Sequence, residues 1–160
     1  MAVDYFLKLD GIKGESHDSK HKDEIDLLSW SWGEAQTGSH SAGGGGGAGK
    51  VSMQDFHFVM HVNVGSPKLL LACATGEHIK EANLTCRKAG KEQQEYLKIK
   101  MTDLLVSSYQ TGGSTGGEVP IDQISLNYSK IEYQYCQQKP DGTLDGPVKA
   151  GYDLKAMKKI

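Results

Sequence analysis

The sequence predicts a mainly β fold, a small β-barrel of two packed antiparallel sheets with one short helix on its side and long glycine-rich loops. Three observations lead to this prediction. Apolar and polar residues alternate with a period of two along most of the chain, which is typical of strands. That alternation changes phase once within each of three long segments. Over half of the 20 glycines fall in two short stretches, 38–49 and 112–117.

The strand segments are separated by loops with ordinary turn residues. A charged loop follows the first segment, and Ala89-Gly90 and Lys139-Pro-Asp-Gly mark later turns, as does Asp145-Gly-Pro. The segments with strand patterning are 3–9, 25–33, 51–62, 82–88, 94–109, 121–136 and 148–160.

The three phase changes predict bends in long strands. The apolar positions move from 25 and 27 to 28, 30 and 32, from 51 and 53 to 56–62, and from 124–128 to 131–135. A phase change turns the buried face over, as a bulge or sharp bend does. Bent strands suit a small barrel or two sheets packed orthogonally. In a second interpretation, which stays open here, one half of each strand packs in the core and the other on a neighbouring subunit.

One helix is predicted over Ser66–Thr75. Ser66 is the expected N-cap, Pro67 occupies the first helical position and Gly76 follows the last turn. A helix of two to three turns is too short to be stable alone, so we expect it to pack on a sheet.

Length and composition indicate one domain, 1–160, with no nucleic-acid or membrane partner. Eighteen basic and 20 acidic residues give a net charge of −2, and the basic residues cluster only in the C-terminal tail. No apolar run has the length of a membrane span or a signal peptide. The three cysteines lack metal-binding spacing and are expected to be small buried hydrophobes in a reducing compartment.

The stretch 44–51 lacks one residue of a phosphate-binding loop, G-x-x-x-x-G-K-[ST]. Such a loop joins a buried strand to a helix N-terminus. Here polar residues precede it, a strand pattern follows it, and Val51 replaces the hydroxyl residue that would bind magnesium. We therefore expect no nucleotide site. A flexible surface connector and a loop that orders against a partner both remain possible functions of the glycine run.

The remaining polar residues do not predict an enzyme or a metal site, and we expect no cofactor. Each of the pairs His17/His21 and His57/His61 is four residues apart, about 13 Å on a strand, which is too far to share a zinc ion. We expect His17 and His21 to be solvated in their charged loop, together with nearby carboxylates such as Asp23, Glu24 and Asp26. The Asp55-His57 pair shares a strand face but has no nucleophile beside it in the sequence.

Two tryptophans alternate with small polar residues in the segment "SWSWG". Trp30 and Trp32 are predicted to pack in the core or in a subunit interface rather than to stack on a ligand. Ser29, Ser31 and Gly33 would then form the opposite face, which suits a solvated surface. A monomeric β-barrel that binds a sugar or peptide through the tryptophans is the alternative function.

Several motifs together resemble the haemolysin-coregulated protein (Hcp) family of bacterial type VI secretion systems. The likeness runs in consistent order from Val3 to Leu154, and its motifs are "FLKLDGIKGES", "EIDLLSWSWG", "GGGGAGKVSMQDFHF", "SPKLLLACATGEHI", "LTCRKAGKEQQEYLKIKMTDLLVSSYQTGG", "ISLNYSKIEY" and "GPVKAGYDL". The resemblance implies a small β-barrel with a helix on its side, which agrees with the strand patterning.

The resemblance also implies a function as the structural subunit of a secretion tube. Six subunits would form a ring, and rings would stack into an inner tube that contractile sheath proteins drive out of the cell behind a VgrG-type spike protein. The ring lumen would carry small effector proteins. Such a protein assembles in the bacterial cytoplasm and is secreted without a signal peptide.

Carried over to this chain, the resemblance assigns roles to three groups of residues. Ser29 and Ser31 would lie on the lumen-facing strand that contacts effectors, and Trp30 and Trp32 would be packing or interface residues. The chain would lack the added C-terminal domain of toxin-fused members, so no enzyme activity is expected. The extended loop, about 38–50, would reach the neighbouring ring through Gly38, Ser39, His40, Gly43, Gly44, Gly45, Gly46, Gly47, Gly49 and Lys50.

Overall fold

A computed structural model describes residues 3–38, 48–88 and 93–160, and within these ranges the chain forms eleven strands and one helix. The elements in chain order are β1 Val3–Leu9, β2 Ile25–Asp26, β3 Ser29–Ser31, β4 Glu34–Gly38, β5 Ala48–Met53, β6 Phe56–His61, α1 Ser66–Thr75, β7 Ile79–Lys88, β8 Gln94–Gly112, β9 Ile121–Gln138, β10 Leu144–Asp153 and β11 Lys158–Lys159.

Nine of these strands belong to one antiparallel sheet, in which seven follow the order β11-β10-β9-β8-β7-β1-β2 and the other two, β6 and β3, lie off this path. The first half of β9 pairs with β6 and its second half pairs with β10. Strand β6 in turn pairs with β3. The mainly β fold with one short helix is confirmed. The two predicted layers are halves of a single sheet that bends through β8 and β9, and within the described ranges this sheet does not close into a complete barrel.

The first phase change marks the point where the chain moves from one half of the sheet to the other. The backbone amide of Leu27 donates to Tyr5 O on β1, and that of Leu28 donates to Val59 O on β6. Leu27 is therefore buried and Leu28 is exposed. The predicted bend is confirmed, and it divides segment 25–33 into β2 and β3.

The other two phase changes are also changes of strand partner. Segment 51–62 breaks at Gln54 and Asp55, because β5 pairs with β4 whereas β6 pairs with β9. Strand β9 stays continuous, but its two halves have β6 and β10 as partners on the same edge. At this bend Asp103 on β8 has a φ of 50°, and Ser129 Oγ donates to its carbonyl oxygen at 2.9 Å.

The predicted turn at Asp145-Gly-Pro is wrong. These residues belong to β10, where a register shift between Leu144 and Pro147 accommodates them beside β9. The Lys139-Pro-Asp-Gly turn is confirmed, because Gly142 donates its amide to Lys139 O at 2.9 Å and has a φ of 91°.

The hydrophobic core lies between the two halves of the bent sheet. Its fully buried side chains come from both halves and include Leu7, Leu84, Phe56, Phe58, Ile99, Met101, Ile124 and Leu126. Burial of a large apolar side chain contributes about 1.5–3 kcal/mol relative to its exposure. The alternating burial along β6 and β9 follows directly from the period-two pattern.

Helix α1 closes one side of the core with Leu69 and Ala72. The predicted cap at Ser66 is wrong, because Gly65 is the N-cap and Ser66 begins the helix. The Ser66 hydroxyl instead accepts from the Asn63 amide at 3.0 Å and donates to the buried Asp122 carboxylate at 2.6 Å. At the other end Gly76 has a left-handed φ of 68°, as predicted.

A second, smaller cluster, which we call the outer cluster, forms on the outer face of β1 under the loop 13–24. His21 stacks on Phe6 with 4.4 Å between ring centroids, and the Arg87 guanidinium lies 4.7 Å from the same ring. The His21 ring nitrogens lie 2.8 Å from Glu24 Oε2 and 2.6 Å from Glu95 Oε1. The expectation that His21 and Glu24 are solvated is wrong, because their side chains contact each other inside this cluster.

Candidate functional site

Four strands form a sheet segment that we call the wall: β3, β6, the first half of β9 and the second half of β8. Residues directly opposite each other on neighbouring antiparallel strands point to the same face. One row of such residues runs Ser31, His57, Ser125 and Ser108, and a second runs Ser29, Val59, Gln123 and Gln110. Both rows lie on the face opposite the core.

The outer face of the wall is polar and carries its own hydrogen bonds. His57 Nδ1 and Ser125 Oγ are 3.2 Å apart. Asp55, which immediately precedes β6, accepts from Ser107 Oγ at 2.6 Å and from Asn127 Nδ2 at 2.9 Å. Both donors are neutral and stabilise the carboxylate by hydrogen bonding. The two rows themselves contain only hydroxyl, amide, imidazole and one aliphatic group.

The structure places the two predicted serines on this outer face, where both are exposed, and the two tryptophans on the core side. Trp30 stacks on Phe56 at 6.0 Å between centroids and meets Tyr5 edge-on at 6.2 Å. The alternation in "SWSWG" therefore separates an exposed hydroxyl face from a face of half-buried indoles.

Trp32 ties the end of the wall to the following hairpin. Its indole N–H donates to the hydroxyl of Tyr128, and that hydroxyl donates to Gln54 O at 2.9 Å. Burial raises the pKa of Tyr128 to about 12, so the hydroxyl stays protonated at physiological pH. The backbone amide of Gln54 in turn donates to Gly33 O at 2.9 Å.

The hairpin β4–β5, which we call the arm, leaves the wall at the end where β3 finishes and β6 begins. Gly38 is the last residue of β4, and Gly49 and Lys50 belong to β5. The predicted loop bounds were therefore too wide, because these three residues are in strands. Ser39, His40 and Gly43–Gly47 lie outside the described residues. Since Lys50 continues into a strand, the described part of the chain offers no helix N-terminus for a phosphate there.

The core-facing surface of β8 continues onto β9 and β10, where it is uncovered. Leu97 is buried, but its neighbours across the strands, Tyr135 and Val148, are 44% and 73% exposed. Tyr133 in the adjacent row is 41% exposed. We call Tyr133, Tyr135 and Val148 the open apolar face. It adjoins a cleft of about 750 Å³ between the arm and β9–β10, whose lining includes Trp32, Val51, Met53, Ile131 and Tyr152.

Both long edges of the wall lack a strand partner within the described ranges. Strand β3 pairs only with β6, and β8 beyond Leu104 pairs only with β9. Unpaired edges are sites where another chain can add. The sequence did not reveal these edges, because strand order depends on pairings between distant segments.

The described residues form no cluster of three metal-ligating side chains, and no helix among them has the length and apolarity of a membrane span. The three cysteines are free, and burial raises the pKa of the Cys86 thiol to about 12. A thiol with that pKa stays protonated at neutral pH and is a poor nucleophile.

Comparisons with known proteins identify the family. Residues 6–135 match the family described as "Type VI secretion system effector, Hcp". Protein hcp1 of Pseudomonas aeruginosa is 48% identical over 157 residues, which cover 97% of each chain.

Solved structures agree over nearly the whole chain. Hcp1 of Salmonella typhimurium is 40% identical, covers 100% of both chains and has a TM-score of 0.82. A structure described as a type six secretion system protein is 30% identical, covers 99% of this chain and 100% of its own, and has a TM-score of 0.94. The chain therefore belongs to the Hcp family of type VI secretion proteins.

Proposed function

We propose that this protein is a structural, non-catalytic subunit of the type VI secretion inner tube. Six copies form a ring, rings stack into a tube, and the tube is exported with small effector proteins in its lumen. The observation that carries the proposal is the wall, whose outer face is polar and whose two side edges lack a strand partner within the described residues.

The strand directions in the wall are compatible with a closed ring. Each neighbouring pair in the order β3, β6, β9 and β8 is antiparallel, so β3 and β8 run in opposite directions. Rotational symmetry keeps every copy in the same orientation along the ring axis. The β3 edge of one copy therefore meets the β8 edge of the next as an antiparallel neighbour.

The number of wall strands gives an estimate of the lumen size. Six copies of four strands, at about 4.8 Å per strand, give a circumference of about 115 Å and a backbone diameter of about 37 Å. Tilting the strands relative to the axis widens the ring further. A folded domain of about 100 residues has a radius of gyration of about 13 Å, which corresponds to a sphere about 34 Å across. The opening therefore has the scale of a small folded effector.

The chemistry of the wall suits a lumen that holds proteins reversibly. Ser29, Ser31 and Ser125 offer hydroxyls that donate or accept hydrogen bonds, and Asp55 is already paired with neighbouring donors. The scarcity of large apolar groups on this face limits hydrophobic adhesion. Weak polar contacts with Ser29 and Ser31 retain an effector without trapping it.

The open apolar face supplies the hydrophobic part of the subunit contact. Large exposed apolar patches mark interaction sites, and a neighbour that covers Tyr133, Tyr135 and Val148 removes such a patch. A stable interface buries about 1,200–2,000 Å² in total. The sheath proteins and a VgrG-type spike would contact the assembled tube rather than a single chain. Assembly takes place in the cytoplasm, and export needs no cleaved signal.

A pair of matched substitutions tests the lumen assignment. Ser31→Glu puts a charge on the exposed face of the wall, and Ser19→Glu puts the same charge at an exposed position of the loop 13–24. We expect both variants to elute at the hexamer mass, six times 17.4 kDa. Only Ser31→Glu should lower the amount of effector that co-purifies with the ring. Loss of the hexamer in Ser31→Glu, or equal effector yields for both variants, would contradict the assignment.

A further inference from the structure

The outer cluster contains a buried histidine whose two ring nitrogens both face carboxylate oxygens. His21 Nδ1 lies 2.8 Å from Glu24 Oε2, and its Nε2 lies 2.6 Å from Glu95 Oε1. Both distances are those of charge-assisted hydrogen bonds. The ring also stacks on Phe6 and is shielded from solvent. One imidazole therefore joins two carboxylates, one at the end of loop 13–24 and one on β8.

The geometry of this contact fixes the number of protons that it holds. A neutral imidazole has one N–H donor and one bare nitrogen lone pair, whereas an ionised carboxylate can only accept. Two ionised carboxylates at the two ring nitrogens of His21 therefore need two N–H donors, which only the imidazolium has. The closed contact holds one proton more than a neutral imidazole between two ionised carboxylates.

The proton resides on the ring rather than on Glu95. Burial raises the pKa of Glu95, but hydrogen bonding by His21 and the nearby charge of Lys98 outweigh burial, so the pKa is lowered from its usual value. Glu95 is then ionised at neutral pH and accepts from the ring.

The charged groups around the ring also favour its protonated form. They lie on the loop and on four strands and are Asp18 and Glu24 on the loop, Asp4 on β1, Asp26 on β2, Arg87 on β7, and Glu95 and Lys98 on β8. Carboxylates form the majority of this group, and its two permanent cations are each paired with at least one of them. A positive charge on the ring brings the cluster closer to neutrality.

Two side-chain contacts fasten loop 13–24 to the strands beside it. Arg87 on β7 donates to both carboxylate oxygens of Asp18, at 3.0 and 2.9 Å. The second contact joins His21 to Glu95 on β8. Hydrogen bonding by Arg87 lowers the pKa of Asp18 to about 2, so the first contact keeps its charges throughout the neutral range. Of the two contacts, the one through the imidazole responds to pH near neutrality.

We propose that His21 is a proton-dependent latch that holds loop 13–24 against β8 while its ring is charged. Loss of the ring proton places a bare nitrogen lone pair against a carboxylate oxygen, so the latch opens and Phe6 loses its cover. The closed loop binds the proton more tightly than the open loop does. The stabilisation is therefore complete below about pH 6.5, where an exposed histidine is charged, and is lost as the pH rises and the closed loop releases its proton. This inference concerns the single subunit and does not depend on the proposed tube.

Hydrogen exchange of residues 13–24 in the full-length protein tests the latch. Exchange is followed by mass spectrometry from about pH 6 to about pH 9, and each rate is divided by the intrinsic rate at that pH. Release of one proton on opening lowers the protection of the loop by up to about tenfold per pH unit. We expect this fall in the parent and in His17→Gln, which changes the exposed histidine of the same loop, but not in His21→Gln. Protection that is independent of pH in the parent, or the same fall in His21→Gln, would overturn the proposal.

A second pair of variants keeps the histidine in place and changes the charge beside it. Glu95→Gln still offers an oxygen to the ring but no longer attracts its charge. Glu132→Gln removes an equal charge from an exposed position of β9. We expect the fall in protection to begin about one pH unit lower in Glu95→Gln, a tenfold loss of proton affinity, and at the parent's pH in Glu132→Gln. The same onset in both variants would contradict the latch.

Discussion

Replacement of Tyr128 by phenylalanine tests how the arm is fixed to the wall. The Tyr128 hydroxyl accepts from the Trp32 indole and donates to Gln54 O, so one oxygen joins β9 to both segments that connect the wall to the arm. The substitution removes the oxygen and keeps the ring. Both hydrogen bonds are lost together, and the half-buried indole N–H is left without its acceptor.

The expected cost follows from the two lost bonds. An internal hydrogen bond contributes about 1 kcal/mol net, and water can compensate the exposed Gln54 side of the contact. We therefore expect Tyr128→Phe to lower the free energy of unfolding by about 1–2 kcal/mol. For a chain of this length that corresponds to a fall in melting temperature of about 3–6 °C. Amides of the arm should also exchange faster, because its base is less constrained.

Urea denaturation followed by tryptophan fluorescence measures the change, with Tyr133→Phe as the matched control. Tyr133 is 41% exposed and its hydroxyl makes no hydrogen bond within the described residues. Its loss should change stability by less than about 0.5 kcal/mol. Equal stabilities of the two variants, or unchanged exchange in the arm of Tyr128→Phe, would refute the reasoning.

Two further predictions concern the outer cluster and the open apolar face. Hydrogen bonding by Arg87 lowers the pKa of Asp18 from 3.8 to about 2, so its stabilising contribution is present above pH 4 and is lost as the pH falls towards 2. Between pH 4 and pH 2 the free energy of unfolding of Asp18→Asn should change less with pH than that of the parent protein, whereas that of Asp10→Asn should change as the parent's does. The same dependence on pH in all three proteins would disprove the linkage. Tyr135→Glu should dissociate the hexamer to folded monomers in light scattering, because the side chain, 44% exposed in the single subunit, lies on the face that a neighbouring copy is proposed to cover. Gln138→Glu on the same strand should leave the hexamer intact. Hexamers of undiminished stability in Tyr135→Glu would remove this face from the interface.

The bends were predictable because the phase of a period-two pattern is a local property of the sequence. Leu27 and Leu28 are consecutive apolar residues, and a strand cannot bury both on one face. The structure resolves the conflict by pairing the first with β1 and the second with β6. The same argument located the bend in β9 from Tyr128 and Ile131.

The outer cluster was not predictable from the charged loop alone. His21 and Glu24 stand among lysines and aspartates, which normally indicates a solvated segment, yet His21 is 7% exposed. The one available signal was Phe6, a large apolar residue on the polar face of β1. An aromatic side chain there needs a cover, and the loop 13–24 provides it.

The wall edges, which lack a strand partner among the described residues, depend on tertiary pairing. Sequence patterning located β6, β8 and β9 but not their order in the sheet. The alternation in "SWSWG" predicted one polar face correctly, since Ser29 and Ser31 are exposed. Which strands continue that face, and where it ends, follows only from the register of the pairs.

An electron cryomicroscopy map of the purified protein is the most direct examination of the assembly. If the account holds, particles are sixfold rings whose central opening is lined by β3, β6, β9 and β8, with the Ser31 side chain at the opening and β3 beside the β8 of the next copy. Monomers at micromolar concentration, or rings with α1 facing the opening, would contradict it.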